Sequence, residues 1–95
     1  MRDYELMYIL SPEIIEEDVA ANMEKVNQLI ASRGGTVAET NAWGRRKLAY
    51  PIRKFLEGNY VLTRLKLDAK STADLEASLG IDEGILRHLL VRVGD

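Results

Sequence analysis

Residues 59–67 read Asn59-Tyr60-Val61-Leu62-Thr63-Arg64-Leu65-Lys66-Leu67. The alternation places Val61, Thr63, Leu65 and Leu67 on one face and Tyr60, Leu62, Arg64 and Lys66 on the other, the period of a strand. Before it, residues 52–58 carry Arg53, Lys54, Glu57 and Gly58 and read as a turn-like connection, with Pro51 interrupting the pattern. Further upstream a strand begins at Thr36-Val37 and continues, bent or bulged, toward Leu48. The two strands make a long hairpin with a basic segment at its tip.

Outward from the hairpin the pattern changes period. Val19, Met23, Val26 and Ile30 recur at four, three and four residues, one apolar stripe along a helix that ends near Ser32. Glu13, Glu16, Glu17 and Asp18 crowd its amino-terminal approach, where the dipole favours negative charge, and Gly34-Gly35 supplies the stop. Residues 4–10 form a first strand, with Tyr4, Leu6, Tyr8 and Leu10 opposite Glu5, Met7 and Ile9, closed by Ser11-Pro12. Downstream, Ser71 is placed to cap a short helix with Asp74 three residues on, Leu75 and Leu79 as its buried stripe and Gly80 at its end. After a turn at Asp82-Glu83-Gly84, residues 85–93 read as a last strand, with Leu86 and Leu90 opposite Leu89, Val91 and Val93. Strand, helix, strand, strand, helix, strand predicts an α+β, ferredoxin-like fold: a four-stranded antiparallel sheet with two helices on one face.

The chain has 95 residues, 46% of them apolar, which is length for one domain spanning 1–95 and one core without an enclosed large cofactor. It has no cysteine and one histidine, His88, so disulfides, thiolate nucleophiles and sulfur or multi-histidine metal sites are excluded. No cofactor and no metal site are expected. Met1-Arg2-Asp3-Tyr4 runs into the first strand without resembling a secretory leader, and no apolar run is long enough to span a bilayer, so a cytosolic domain with no membrane partner is expected.

The formal net charge of -2 conceals a segregation. Residues 1–44 carry a net charge of -5, residues 45–54 carry +5 through Arg45, Arg46, Lys47, Arg53 and Lys54, and residues 55–95 carry -2. A basic run beside Trp43 and Tyr50 combines phosphate-binding charges with rings able to stack on bases or sugars. Because alternate strand residues point oppositely, Arg45 and Lys47 should not share a face with Arg46 unless a bulge intervenes. The strands also lack a fully polar face. If Met7, Ile9, Tyr60, Leu62, Leu89 and Val91 point away from the helices, they form an apolar patch suited to a protein partner.

Enzyme readings find no arranged chemistry. His88, between Arg87 and Leu89 in an apolar strand, fits a packed imidazole better than a catalytic one. No serine lies in a nucleophile elbow, Gly34-Gly35 lacks the glycines and lysine of a phosphate loop, and Ser11-Pro12-Glu13 does not resemble the anion loop of acylphosphatase-type enzymes. Among non-enzymes, a scaffold or regulatory domain that self-associates through its open sheet face and binds no RNA stands as the alternative to an RNA-binding protein.

The start Met1-Arg2-Asp3-Tyr4-Glu5, the Leu10-Ser11-Pro12 step, Gly34-Gly35 and above all Trp43-Gly44-Arg45-Arg46-Lys47-Leu48-Ala49-Tyr50-Pro51-Ile52 resemble the family of the sixth protein of the bacterial small ribosomal subunit. The likeness covers essentially the whole chain, and it implies a ferredoxin-like structural protein of the cytoplasmic ribosome. It further implies binding to central-domain small-subunit ribosomal RNA, not DNA, as a heterodimer with the small basic eighteenth protein rather than as a homo-oligomer. In some members the pair is thought to bind its own messenger leader.

By position, Arg46 matches the motif arginine, followed by Leu48, Ala49, Tyr50, Pro51 and Ile52, and Arg2 matches a frequently basic residue near RNA. The expected RNA-binding residues are therefore Arg2, Arg45, Arg46, Lys47, Tyr50, Arg53 and Lys54. The expected partner-facing residues are Met7, Ile9, Trp43, Tyr60, Leu62, Leu89 and Val91. The family's helix-facing positions fall on Leu6, Tyr8, Leu10, Leu65, Leu67, His88 and Leu90, so His88 requires a polar neighbour or a route to solvent. The chain departs from the family in ending at Asp95 without the frequent polar extension, and in Asp3, which lowers the potential beside Arg2.

Overall fold

In a computed structural model, which describes residues 1–94, the elements are β1 (Arg2–Leu10), α1 (Glu16–Ser32), β2 (Thr36–Ile52), β3 (Phe55–Leu67), a 3-10 turn (Ala69–Ser71), α2 (Thr72–Gly80) and β4 (Ile85–Arg92). The sheet order is β2-β3-β1-β4 and every pairing is antiparallel. This is the ferredoxin-like arrangement that the element order predicts; Asp95, where the chain ends, lies outside the described residues.

The helix-side core follows the alternation. Tyr4, Leu6, Tyr8 and Leu10 of β1 and Val61, Leu65 and Leu67 of β3 are buried with Val26 and Ile30 of α1 and Leu75 and Leu79 of α2. Polar groups also enter it. The fully buried Thr63 hydroxyl bonds to Thr40 Oγ1 at 3.4 Å, and Thr40 Oγ1 donates to Asn27 Oδ1 of α1 at 3.2 Å, which ties the helix to the sheet. Burial pushes the Tyr8 phenol far above its ordinary range, partly offset by the neighbouring Thr63, and the Tyr8 hydroxyl has no hydrogen bond of good geometry among the described residues. His88 lies across from Tyr8, so it faces the helices. Its Nε2 is 3.5 Å from Glu76 Oε1 on α2 and the side chain is 22% exposed, the polar neighbour and the solvent route that the position requires.

At the end of α1 the Gly35 amide donates to the Ile30 carbonyl and the Gly34 amide to the Ala31 carbonyl, both at 3.0 Å, with Gly34 at a φ of 81°. That pair of bonds satisfies the last helix carbonyls, and glycine takes the left-handed φ without a Cβ penalty.

Four local expectations are corrected. Pro51 does not interrupt β2, which runs to Ile52, because residues 48–51 lie where the β2–β3 register shifts and the missing amide costs no ladder bond. The connection is two residues rather than seven: Ile52 pairs with Phe55 around Arg53 and Lys54, whose φ values of 51° and 75° make a type I′ turn. Ser71 makes no side-chain cap among the described residues; Asp68 accepts from the Lys70 amide at 3.2 Å instead, because a 3-10 turn precedes α2. Finally, Leu86 does not share a face with Leu90. The β1–β4 register slips between Ile9, opposite Arg87, and Leu10, opposite Ile85, so Leu86 is the extra residue of a bulge and turns to the other face.

Candidate RNA and protein interface

The β2–β3 hairpin outruns the sheet. β1 ends at Leu10 opposite Asn59, so residues 46–57 of the hairpin extend beyond any pairing with β1. Instead of standing clear, this extension lies over the open face. Leu48 is buried against Ile9 and Leu86, with Ile52, Phe55 and Tyr60 packed around them. Gly58 permits the approach: a Cβ there would lie 2.5 Å from Ile9 Cγ2 and 3.1 Å from the Leu10 carbonyl oxygen. The second core thus formed joins hairpin to sheet by apolar burial.

Beside it runs an apolar groove of about 200 Å³, lined by Met7, Ile9, Leu48, Tyr50, Arg87 and Leu89 among others. Two cation–ring contacts lie on this face. The Arg46 guanidinium is 5.3 Å from the Trp43 ring centre, and that of Arg87 is 5.6 Å from the Tyr50 ring centre. Trp43 is 44% exposed and Tyr50 52%, so both rings keep a surface for a further contact. Arginine stacked on a ring and offering N–H groups at its edge suits phosphate and base recognition.

The basic residues are deployed unequally. Arg45 pairs in register with Asn59, and its guanidinium is committed, Nη1 to Glu57 Oε1 at 3.0 Å and Nη2 to the Pro12 carbonyl at 2.9 Å. Arg46, opposite Gly58, points the other way, over Trp43, as strand alternation requires. Arg53 Nη1 donates to the Glu83 carbonyl at 3.0 Å. Lys47 and Lys54 are exposed. Arg2 is not brought to the hairpin. It opens β1 opposite Leu67, at the far end of a strand roughly 27 Å long, beside Asp3 and Arg92.

The partner-facing set is also graded. Leu89 and Val91 are 55% and 46% exposed, Met7, Tyr60 and Leu62 are half-buried, and Ile9 is 7% exposed because the hairpin covers it. Beyond this apolar region the open face turns charged. Arg64 Nε lies 3.2 Å from Glu5 Oε2 and 3.7 Å from Glu39 Oε1, bridging three strands, and Lys66 faces Asp3 at 4.0 Å. The sequence reading missed Arg87 as a site residue, although its alternation with Leu89 and Val91 already put it on the patch face.

Residues 3–92 match the family described as Ribosomal protein S6. The small ribosomal subunit protein bS6 of Desulforamulus reducens is 42% identical over 95 residues, all of both chains. That of Fusobacterium nucleatum is 45% identical over 92 residues, 97% of this chain and 98% of the relative. The crystal structure of 30S ribosomal protein S6 from Thermotoga maritima superposes with a TM-score of 0.89 at 33% identity, covering 96% of this chain and 86% of the other.

Proposed function

The chain belongs to the ribosomal protein S6 family, and on that premise we propose that it binds central-domain small-subunit ribosomal RNA jointly with the small basic eighteenth protein of the same subunit. Its role is structural and non-catalytic, as a protein of the small ribosomal subunit. In the proposed complex residues 1–95 act as one domain on cytoplasmic ribosomes, as one half of a heterodimer rather than as a homo-oligomer.

The observation that carries this reading is the hairpin laid over the open face, which puts Arg46 on Trp43, Arg87 on Tyr50 and an apolar groove side by side. Arg45, Arg46, Lys47, Arg53 and Lys54 supply the positive potential of the RNA-facing hairpin, Tyr50 a stacking ring, and Arg2 a separate contact at the other end of β1. Met7, Trp43, Tyr60, Leu62, Leu89 and Val91 receive the protein partner, with Ile9 supporting them from beneath. The acidic remainder of the chain repels RNA but attracts a basic protein, so the pair should bind RNA more tightly than either chain.

The test is a tagged-chain purification from lysate with salt-graded release, identifying RNA and protein together. Recovery of small-subunit RNA with the small basic protein supports the reading, and recovery of neither overturns it. Isolated chain binding the central-domain RNA as tightly as the pair does would sink the cooperative part. Concentration-dependent dimerisation, with RNA binding indifferent to neutralising Arg45, Arg46 and Lys47, would transfer the open face to self-association.

A further inference from the structure

Arg45 and Arg53 hold the two ends of the hairpin extension to one place. The Ser11 amide donates to the Gly84 carbonyl at 2.9 Å, joining the β1–α1 connection to the α2–β4 turn. Ser11 is buried, so this junction is a fixed point. Arg45, at the hairpin stem, donates to the carbonyl of Pro12, the residue after Ser11. Arg53, at the hairpin tip, donates to the carbonyl of Glu83, the residue before Gly84. The two guanidinium groups thus grip the residues flanking a single backbone hydrogen bond, and Arg45 is braced further by Glu57.

We infer that Arg45 and Arg53 are positioning residues that clamp the hairpin to the Ser11–Gly84 junction, and that Arg46, Lys47 and Lys54 are the hairpin cations that meet RNA phosphate. The inference rests on the reading that the hairpin faces RNA and divides its basic residues into two roles. Arg45 already holds a carboxylate on Nη1 and a carbonyl on Nη2, so a phosphate would have to compete with Glu57 for it. The Arg45 charge is balanced by Glu57, so it releases few RNA counterions, and the Arg53 guanidinium is held at the Glu83 carbonyl. Lys47 and Lys54 are exposed and take no part in either clamp.

The turn chemistry fits this division. A type I′ turn favours Asn-Gly, yet Arg53 and Lys54 both hold positive φ. One of them ties the tip to the body and the other is left as a cation at the apex.

The roles separate in salt dependence. With the full chain, its basic protein partner and a central-domain fragment of small-subunit RNA, affinity is measured across a range of salt. Lys47→Gln and Lys54→Gln should each flatten the slope of log affinity against log salt by about 0.7–0.9. Arg45→Gln and Arg53→Gln should weaken binding about two- to fivefold with the slope unchanged, the scale of an exposed paired contact. Arg45→Lys should behave like Arg45→Gln, since lysine keeps the charge and loses the fork.

A slope falling as far in Arg45→Gln as in Lys47→Gln, or full affinity in Arg45→Lys, would overturn the clamp. Amide exchange of the free chain gives a reading without RNA. Residues 46–57 should exchange faster in Arg45→Gln and Arg53→Gln than in Lys47→Gln, and equal protection would overturn the clamp too. Failure of the unaltered pair to bind the fragment would instead sink the RNA reading, with the exchange experiment still deciding the clamp.

Discussion

On the helix side of β1, Leu6, Tyr8 and Leu10 are sealed by α1 and α2, while on the opposite side Met7 is half-buried and Ile9 is covered only by the returning hairpin. One strand therefore serves two surfaces closed by different means. The helix side is covered by two elements that lie along the sheet. The open side is covered at one end by residues 48–60, left apolar in its middle at Met7, Leu62 and Leu89, and charged beyond them by the Glu5–Arg64–Glu39 bridge, with Val91 opposite Glu5. The difference teaches that folding alone does not finish the open face. Its partial cover is open enough to carry basic groups such as Arg46 and Arg87, which a helix-packed face could not hold without desolvating them.

The sharpest way to break this contrast is to empty the sealed side. Leu6→Ala removes a fully buried side chain and should destabilise the chain by about 3–4 kcal/mol in urea unfolding. Next comes the hairpin's contact point. Gly58→Ala forces a methyl against Ile9 and the Leu10 carbonyl, and should cost about 1–3 kcal/mol; its melting temperature should fall while the helix-side core stays native by near-ultraviolet dichroism.

A smaller effect tests the polar intrusion into the core. Tyr8→Phe deletes a buried hydroxyl lacking a good partner, and should leave stability at neutral pH within about 1 kcal/mol of the original. Tyr8 has a folded pKa above its ordinary 10.0, so its proton is held more tightly in the native state. Its contribution is therefore complete below pH 10 and is lost as pH climbs from there toward the raised folded value. Tyr8→Phe should remove that component of alkaline destabilisation, and identical stability profiles from pH 9 to 11 would contradict the burial argument. The smallest change is expected at the uncovered surface: Leu89→Ser should shift stability by less than about 0.5 kcal/mol while weakening capture of the protein partner in a binding assay.

Much of this was legible from residue order. The faces of β1 and β3, the α1 stripe and the opposed directions of Arg45 and Arg46 follow from local periodicity, while the polar neighbour that His88 requires follows from the family register and is Glu76. The tip turn was not legible, because Arg53-Lys54 carries none of the residue preferences of a type I′ turn. Leu86 was misplaced because alternation cannot register the bulge that its pairing partner imposes. The commitment of Arg45 was hidden for a related reason: Pro12 is 33 residues away.

The sequence by itself determined which side chains share a strand or helix face, and with that the element order, the helix-side core and the concentration of positive charge in residues 45–54. These are consequences of backbone geometry repeated every few residues. Only the tertiary structure decided that the basic hairpin lies over the sheet, that it covers Ile9 and leaves Leu89, and that two of its arginines are spent on backbone carbonyls. Those outcomes depend on register shifts and on contacts between residues 30 or more positions apart, which no local pattern encodes.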